Sequence, residues 1–108
     1  MKQDRTRPAV LVVDDEAHIL SSMTALLEED FEVLTSTSAE AALNLLQNEQ
    51  ISVIIADQRM PGLTGDEFLA KARQLSEATR VLITGYADTN ALVRAVNHGQ
   101  IYTYVTKP

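Results

Sequence analysis

Short apolar runs alternate along this chain with segments whose apolar residues repeat at helical spacing, and this alternation limits the folds open to it. Five runs have the length of a strand, at residues Ala9–Val13, 31–35, 51–56, 80–83 and 101–105. Three of them are apolar on both faces, which is typical of parallel strands covered on both sides. Because strands that alternate with helices form parallel βαβ units, the pattern predicts an α/β protein.

Four segments between these runs carry an apolar stripe at helical spacing. The stripes are Ile19, Met23, Leu26 and Leu27; Ala39, Ala42, Leu43 and Leu46; Phe68, Leu69, Ala72 and Leu75; and Leu92, Val93 and Val96. Capping boxes are predicted where Thr37 precedes Glu40 and where Thr64 precedes Glu67. Five strands separated by helices suit a doubly wound, flavodoxin-like parallel sheet with the strand order 2-1-3-4-5.

The chain length predicts one domain, because 108 residues is the usual size of a single folding unit. Residues 1–7 are polar and are predicted to form an N-terminal tail, with the domain spanning residues 8–108. The sequence stops just after the fifth strand, where a final helix would cover one face of the sheet. We therefore expect a domain truncated after strand five, or an apolar face that is open to a partner.

The overall composition excludes several classes of function. No cysteine is present, which rules out a thiolate zinc site and a cysteine nucleophile. The net charge of -6 argues against direct binding of nucleic acid, which needs clustered cations. No apolar run is long enough to span a membrane, and the N-terminus lacks a secretory signal. We therefore expect a soluble cytoplasmic protein.

Polar residues follow the strands that the order 2-1-3-4-5 places side by side. The first strand is followed by Asp14 and Asp15, the third by Asp57, the fourth by Thr84 and the fifth by Lys107. In an open parallel sheet the ligand site lies beyond the carboxyl ends of the strands, at the point where the strand order reverses. The sequence therefore predicts three carboxylates, a hydroxyl and an ammonium group at one sheet edge.

Three neighbouring carboxylates repel one another, and either protonation or a divalent cation must relieve the repulsion. Oxygen ligands with room for water suit Mg²⁺, which is commonly held by one or two carboxylates and a phosphate. A carboxylate beside Mg²⁺ can attack a phosphoryl group and form an aspartyl-phosphate. The hydroxyl and the ammonium group would then stabilise charge on the phosphoryl oxygens.

Four motifs, at the ends of the first, third, fourth and fifth predicted strands, give the sequence a clear family resemblance. They are LVVDDE at residues 11–16, DQRMPG at 57–62 with Gly65, Thr-Gly at 84–85 and Lys-Pro at 107–108. In order and spacing they resemble the receiver domain of two-component response regulators, over roughly residues 8–108. The resemblance implies a signalling domain that catalyses only its own phosphorylation and dephosphorylation, with Mg²⁺ as its cofactor.

The resemblance also implies a role for each residue of the acidic site. Asp57 matches the residue that accepts the phosphoryl group from the phosphohistidine of a sensor histidine kinase. Asp15 matches the direct Mg²⁺ ligand, Asp14 a ligand that acts mostly through water, and the backbone carbonyl of Arg59 the third protein ligand.

Further positions match the residues through which receivers respond to phosphorylation. Lys107 matches the lysine that pairs with the phosphate, and the peptide bond to Pro108 is expected to be cis. Thr84 and Tyr104 match the switch residues that shift on activation and change the face of the fourth helix and fifth strand. The partners implied are the kinase and an output domain or effector, and a homodimer through that face stays open.

Less specific interpretations compete with these assignments. Asp14 and Asp15 could serve only as a helix N-cap, and Tyr104 could be an ordinary strand residue. A phosphorylation-independent interaction or dimerisation module is the alternative function. A phosphatase is a poor fit, since such enzymes need a second aspartate where Arg59 stands. The segments 57–62, 83–86 and 101–105 are similar to those of receivers joined to transcription activators of the enhancer-binding type, and also to those of receivers joined to cyclic-di-GMP phosphodiesterases.

Overall fold

The computed structural model describes residues 7–84 and 103–106 of the chain. These residues form five strands and three helices, which alternate as far as the fourth strand. The strands are β1 (Ala9–Val13), β2 (Glu32–Ser36), β3 (Val53–Asp57), β4 (Thr79–Thr84) and β5 (Thr103–Thr106). The helices are α1 (Ala17–Leu27), α2 (Ala39–Asn48) and α3 (Gly65–Ala72). The predicted fourth helix, Lys107 and the predicted cis peptide at Pro108 lie outside the described residues.

The strands form one parallel sheet with the order β2-β1-β3-β4-β5, which confirms the predicted topology. The order reverses between the adjacent strands β1 and β3. Aspartates directly follow β1, and an aspartate is the last residue of β3. In the register, Asp57 lies opposite Ile83 of β4, and Thr84 lies opposite Thr106 of β5. The carboxyl ends of these strands therefore lie along one edge of the sheet.

Helices cover both faces of the sheet, which explains why the sequence of β1 is apolar throughout. All five of its residues are buried. Leu11 and Val13 pack in a large core that includes Phe68 and residues of α2 and α3. Val10 and Val12 point the other way and pack in a smaller cluster with Leu20 of α1. This division of one strand between two cores confirms the doubly wound architecture.

Among the helices that the structure describes, none combines the length and the apolar character needed to cross a membrane.

Helix α2 begins one residue later than the predicted capping box would place it. The N-cap is Ser38, whose hydroxyl oxygen accepts a hydrogen bond from the backbone N–H of Ala41 at 3.0 Å. The prediction that Thr37 caps the helix with Glu40 was wrong. The two hydroxyl residues are adjacent, and the chain turns at Ser36, whose own hydroxyl donates to the Ser38 carbonyl at 2.8 Å.

We expect Ser38→Ala to lower the free energy of unfolding by about 1 kcal/mol, because an N–H in the first turn loses its acceptor. Thr37→Ala is the matched control, since Thr37 is exposed and is not the N-cap. Urea unfolding followed by far-ultraviolet circular dichroism measures both variants. An equal or larger loss for Thr37→Ala would contradict the assignment of the cap.

Candidate functional site

Three aspartates meet at the point where the strand order reverses. Asp14 and Asp15 directly follow β1, and Asp57 is the last residue of β3. One carboxylate oxygen from each lies within 4.8 Å of the other two. Asp14 and Asp57 are buried, whereas Asp15 is exposed. The structure thus brings together the three acidic residues that the sequence predicts at this edge.

Asp14 is held in place by bonds to the two segments beside it. Its backbone N–H donates to the Ser36 carbonyl at 3.1 Å, at the end of β2. One of its carboxylate oxygens accepts from the backbone N–H of Glu16 at 2.9 Å. Glu16 is the N-cap residue of α1, and its own side chain makes no capping hydrogen bond. Neither Asp14 nor Asp15 is therefore the helix N-cap that the competing interpretation requires.

Asp57 lies in a closely packed setting at the end of β3. Its Oδ2 accepts a hydrogen bond from the backbone N–H of Arg59 at 3.2 Å. Its own backbone carbonyl lies against Gly65, the first residue of α3. A Cβ atom added to Gly65 would lie 2.4 Å from that carbonyl oxygen, which backbone atoms cannot accommodate without moving. A glycine at this position thus lets the start of α3 approach the end of β3 closely.

The β3–α3 loop, residues 58–64, forms the outer wall of the site. Gly62 has a φ of +83°, a conformation that side-chain-bearing residues rarely adopt. The loop and Asp15 line an open cleft beside the aspartates. The residues lining it are Asp15, Gln58, Arg59, Met60, Pro61 and Thr64. The cleft therefore adjoins the acidic cluster on the side of Asp15.

Gln58 and Asp66, to which no sequence pattern assigns a role, join the two ends of this loop. Both are buried, and the side-chain amide of Gln58 donates to Asp66 Oδ1 at 2.8 Å. A polar residue after a strand and an acid in the first helical turn are the only signals in the sequence. Neither signal indicates a contact across eight residues.

The remaining predicted residues are placed by the backbone alone or lie outside the described part. Thr84 ends β4, the neighbour of β3. Tyr104 lies in β5, opposite Leu82. Lys107 lies outside the described residues. The roles of Thr84, Tyr104 and Lys107 therefore stay predictions.

The donor set at the edge fits a hard divalent cation. Three carboxylates offer oxygen ligands, and their spread of at most 4.8 Å allows one ion to contact them directly or through water. Asp14 and Asp57 are both buried in this cluster, and a cation would offset the repulsion between their carboxylates. The adjacent backbone of Arg59, hydrogen-bonded to Asp57, lies within the same small region.

Comparisons with known proteins agree with this geometry. The family model of the response regulator receiver domain matches residues 10–108. The hydrogenase transcriptional regulatory protein HoxA of Cupriavidus necator is 47% identical over 100 residues, which cover 92% of this chain and 21% of HoxA. The chain thus spans about a fifth of that relative.

Solved structures show the same similarity in three dimensions. A structure described as adenylate cyclase from Rhodopirellula baltica has a TM-score of 0.89 and 36% identity, covering 94% of this chain and 77% of that chain. A response regulator from Burkholderia pseudomallei, with a phosphorylated aspartic acid, a calcium ion and citrate, has a TM-score of 0.85 and 27% identity. That match covers 94% of this chain and 60% of the Burkholderia chain. Fold, strand-end motifs and family match agree, and the chain belongs to the response regulator receiver domains of two-component systems.

Proposed function

We propose that Asp57 accepts a phosphoryl group from the phosphohistidine of a sensor histidine kinase. The observation that carries the proposal is the meeting of Asp14, Asp15 and Asp57 beside an open cleft. In support, the similar Burkholderia structure holds a phosphorylated aspartic acid and a calcium ion.

The transfer forms a bond between an Asp57 carboxylate oxygen and phosphorus while the bond from phosphorus to the histidine nitrogen breaks. The leaving imidazole takes up a proton, and the product is an aspartyl-phosphate. Mg²⁺, held by Asp14, Asp15, Asp57 and the carbonyl of Arg59, would supply positive charge for the phosphoryl oxygens. The exposed Asp15 gives the site a solvent-facing ligand, while the buried Asp14 is fixed by its bond to Glu16.

Thr84 and Lys107 supply the hydroxyl and the ammonium group for the phosphoryl oxygens in this proposal. Thr84 ends the strand beside β3, and β5 leads directly to Lys107. Movement of Thr84 and Tyr104 would then alter the surface around β5. A bias of a few kcal/mol suffices to shift a two-state element of this kind.

The chain acts as a signalling domain without external turnover, and its response passes to an output domain or effector. HoxA is named as a transcriptional regulatory protein, and a second similar structure is described as an adenylate cyclase. Similar receiver domains thus occur in proteins with different activities. The output is therefore determined by the domain or effector that the receiver controls, and not by the receiver fold. We place the activity in the cytoplasm with the kinase. The net charge of -6 supports a protein partner over nucleic acid.

The direct test is intact mass spectrometry after incubation with acetyl phosphate, in Mg²⁺ or in EDTA. We expect one phosphoryl adduct that requires Mg²⁺ and is absent from Asp57→Asn. Asp30→Asn is the matched control, because it makes the same change in charge at an exposed aspartate and should keep the adduct. No adduct on folded protein that binds Mg²⁺ would overturn the proposal and favour the interaction module, whose self-association would then be measured.

A further inference from the structure

Gln58, the residue after Asp57, is held by hydrogen bonds at every polar group it has. Its backbone N–H donates to the Ile83 carbonyl at 2.9 Å, and its carbonyl accepts from the Gly65 N–H at 2.9 Å. Its side-chain oxygen accepts from the backbone N–H of Asp66 at 2.9 Å. Its side-chain nitrogen donates to Asp66 Oδ1 at 2.8 Å. The side chain therefore joins the end of β3 to the first turn of α3.

Asp66 completes this link from the helix side. It is 5% exposed, and the same Oδ1 that binds Gln58 also accepts from the Thr64 hydroxyl at 2.7 Å. A buried carboxylate is costly unless its oxygens are hydrogen-bonded, and the helix N-terminus adds a favourable dipole. Helix capping alone does not require it, because the exposed Glu67 already accepts from the Thr64 N–H at 3.1 Å.

The bond between Gln58 and Asp66 affects the acidic site because Gln58 is the chain neighbour of both Asp57 and Arg59. Gln58 separates Asp57 from Arg59, whose backbone N–H donates to the Asp57 carboxylate. Fixing the Gln58 side chain therefore restricts the peptide groups on both sides of it. The close contact of Gly65 with the Asp57 carbonyl further restricts residues 57–59.

We propose that Asp66 is a positioning residue, which acts through Gln58 to hold the Asp57 carboxylate and the Arg59 peptide in place for a divalent cation and a phosphoryl group. The inference rests on the proposed function, because it assigns a further residue to the same site. Neither Asp66 nor Gln58 touches the cation or the phosphoryl group in this account.

The test compares Asp66→Ala with Asp66→Asn and with the control Glu67→Ala. Alanine removes the oxygen that accepts hydrogen bonds from the Gln58 and Thr64 side chains. Asparagine keeps a side-chain oxygen at the same distance from the backbone. Glu67→Ala removes a hydrogen bond from the same helical turn without touching Gln58. Mn²⁺ affinity is measured by calorimetry, and the phosphorylation rate with acetyl phosphate by intact mass. Exchange of the Arg59 amide hydrogen is followed by nuclear magnetic resonance without any cation.

For Asp66→Ala we expect Mn²⁺ affinity and phosphorylation rate each to fall about tenfold, as when an outer partner of a metal ligand is lost. The Arg59 amide should exchange faster, while Asp66→Asn and Glu67→Ala should remain close to the original protein. If Asp66→Ala does not fold, Gln58→Met breaks the same link and should give the same three changes.

Equal values for Asp66→Ala and Glu67→Ala in all three measurements would overturn the inference while leaving the proposed function intact. Failure of the unsubstituted chain to bind Mn²⁺ or to be phosphorylated would instead overturn the proposed function. In that case unchanged Arg59 exchange in Asp66→Ala would overturn the positioning role as well.

Discussion

Gly65→Ala will lower the free energy of unfolding by about 2 kcal/mol or more, the upper range for an extra methyl in a packed interior. The added Cβ would lie 2.4 Å from the Asp57 carbonyl oxygen and 2.8 Å from a Leu82 methyl. The leucine end can rotate, but the carbonyl belongs to the end of a central strand. Alanine is otherwise the better helix former by about 1 kcal/mol, so a stabilised variant would contradict the close contact.

Gly62→Ala is the matched control for this substitution. It introduces the same methyl group at a position with nothing within 4 Å but with a φ of +83°. Its cost is therefore backbone strain of about 1 kcal/mol, without displacement of Asp57. Urea unfolding gives both free energies, and the acetyl phosphate reaction reports on the site. We expect Gly65→Ala to slow phosphorylation under conditions where it is folded, and Gly62→Ala to slow it less.

Mg²⁺ will stabilise the chain against unfolding, and Asp15→Asn will remove this effect. A ligand that binds only the folded state contributes about 2.7 kcal/mol at a free concentration one hundred times its Kd. Asp15 is exposed, so its replacement should leave the fold intact in EDTA. The loss of one of three clustered carboxylates should nevertheless weaken the ion's binding severely.

Thermal unfolding in EDTA and in Mg²⁺ measures this effect. Asp30→Asn again serves as the control, because it changes the net charge equally at an exposed position away from the cluster. It should keep the full stabilisation by Mg²⁺. Equal stabilisation of the original chain and of Asp15→Asn would show that the ion acts elsewhere or only through ionic strength.

The features that could be predicted from the sequence are those set by repeating local patterns. The apolar run of β1 is buried on both faces, and its position beside β3 follows from the doubly wound order expected of five strands separated by helices. Asp14, Asp15 and Asp57 could be placed together because each stands at a strand end on the same edge. These conclusions needed periodicity and topology, and no knowledge of individual contacts.

The features that could not be predicted depend on contacts between specific side chains and backbone atoms. Thr37 and Ser38 are both good capping residues, and the structure has Ser38 as the cap, next to the bond from the Ser36 hydroxyl to the Ser38 carbonyl. The bond between Gln58 and Asp66 joins residues eight positions apart across a loop. No helical or strand periodicity relates such positions, so the sequence pattern does not indicate their pairing.

The most direct measurement identifies the residue that carries the phosphoryl group. Borohydride reduces an acyl phosphate to an alcohol, so phosphorylated Asp57 would be recovered as homoserine in a peptide map. We predict this conversion at Asp57 alone, after acetyl phosphate and Mg²⁺, and none in EDTA. Conversion at another aspartate, or phosphate on a serine or threonine with Asp57 unchanged, would contradict the assignment of Asp57 as the phosphoacceptor.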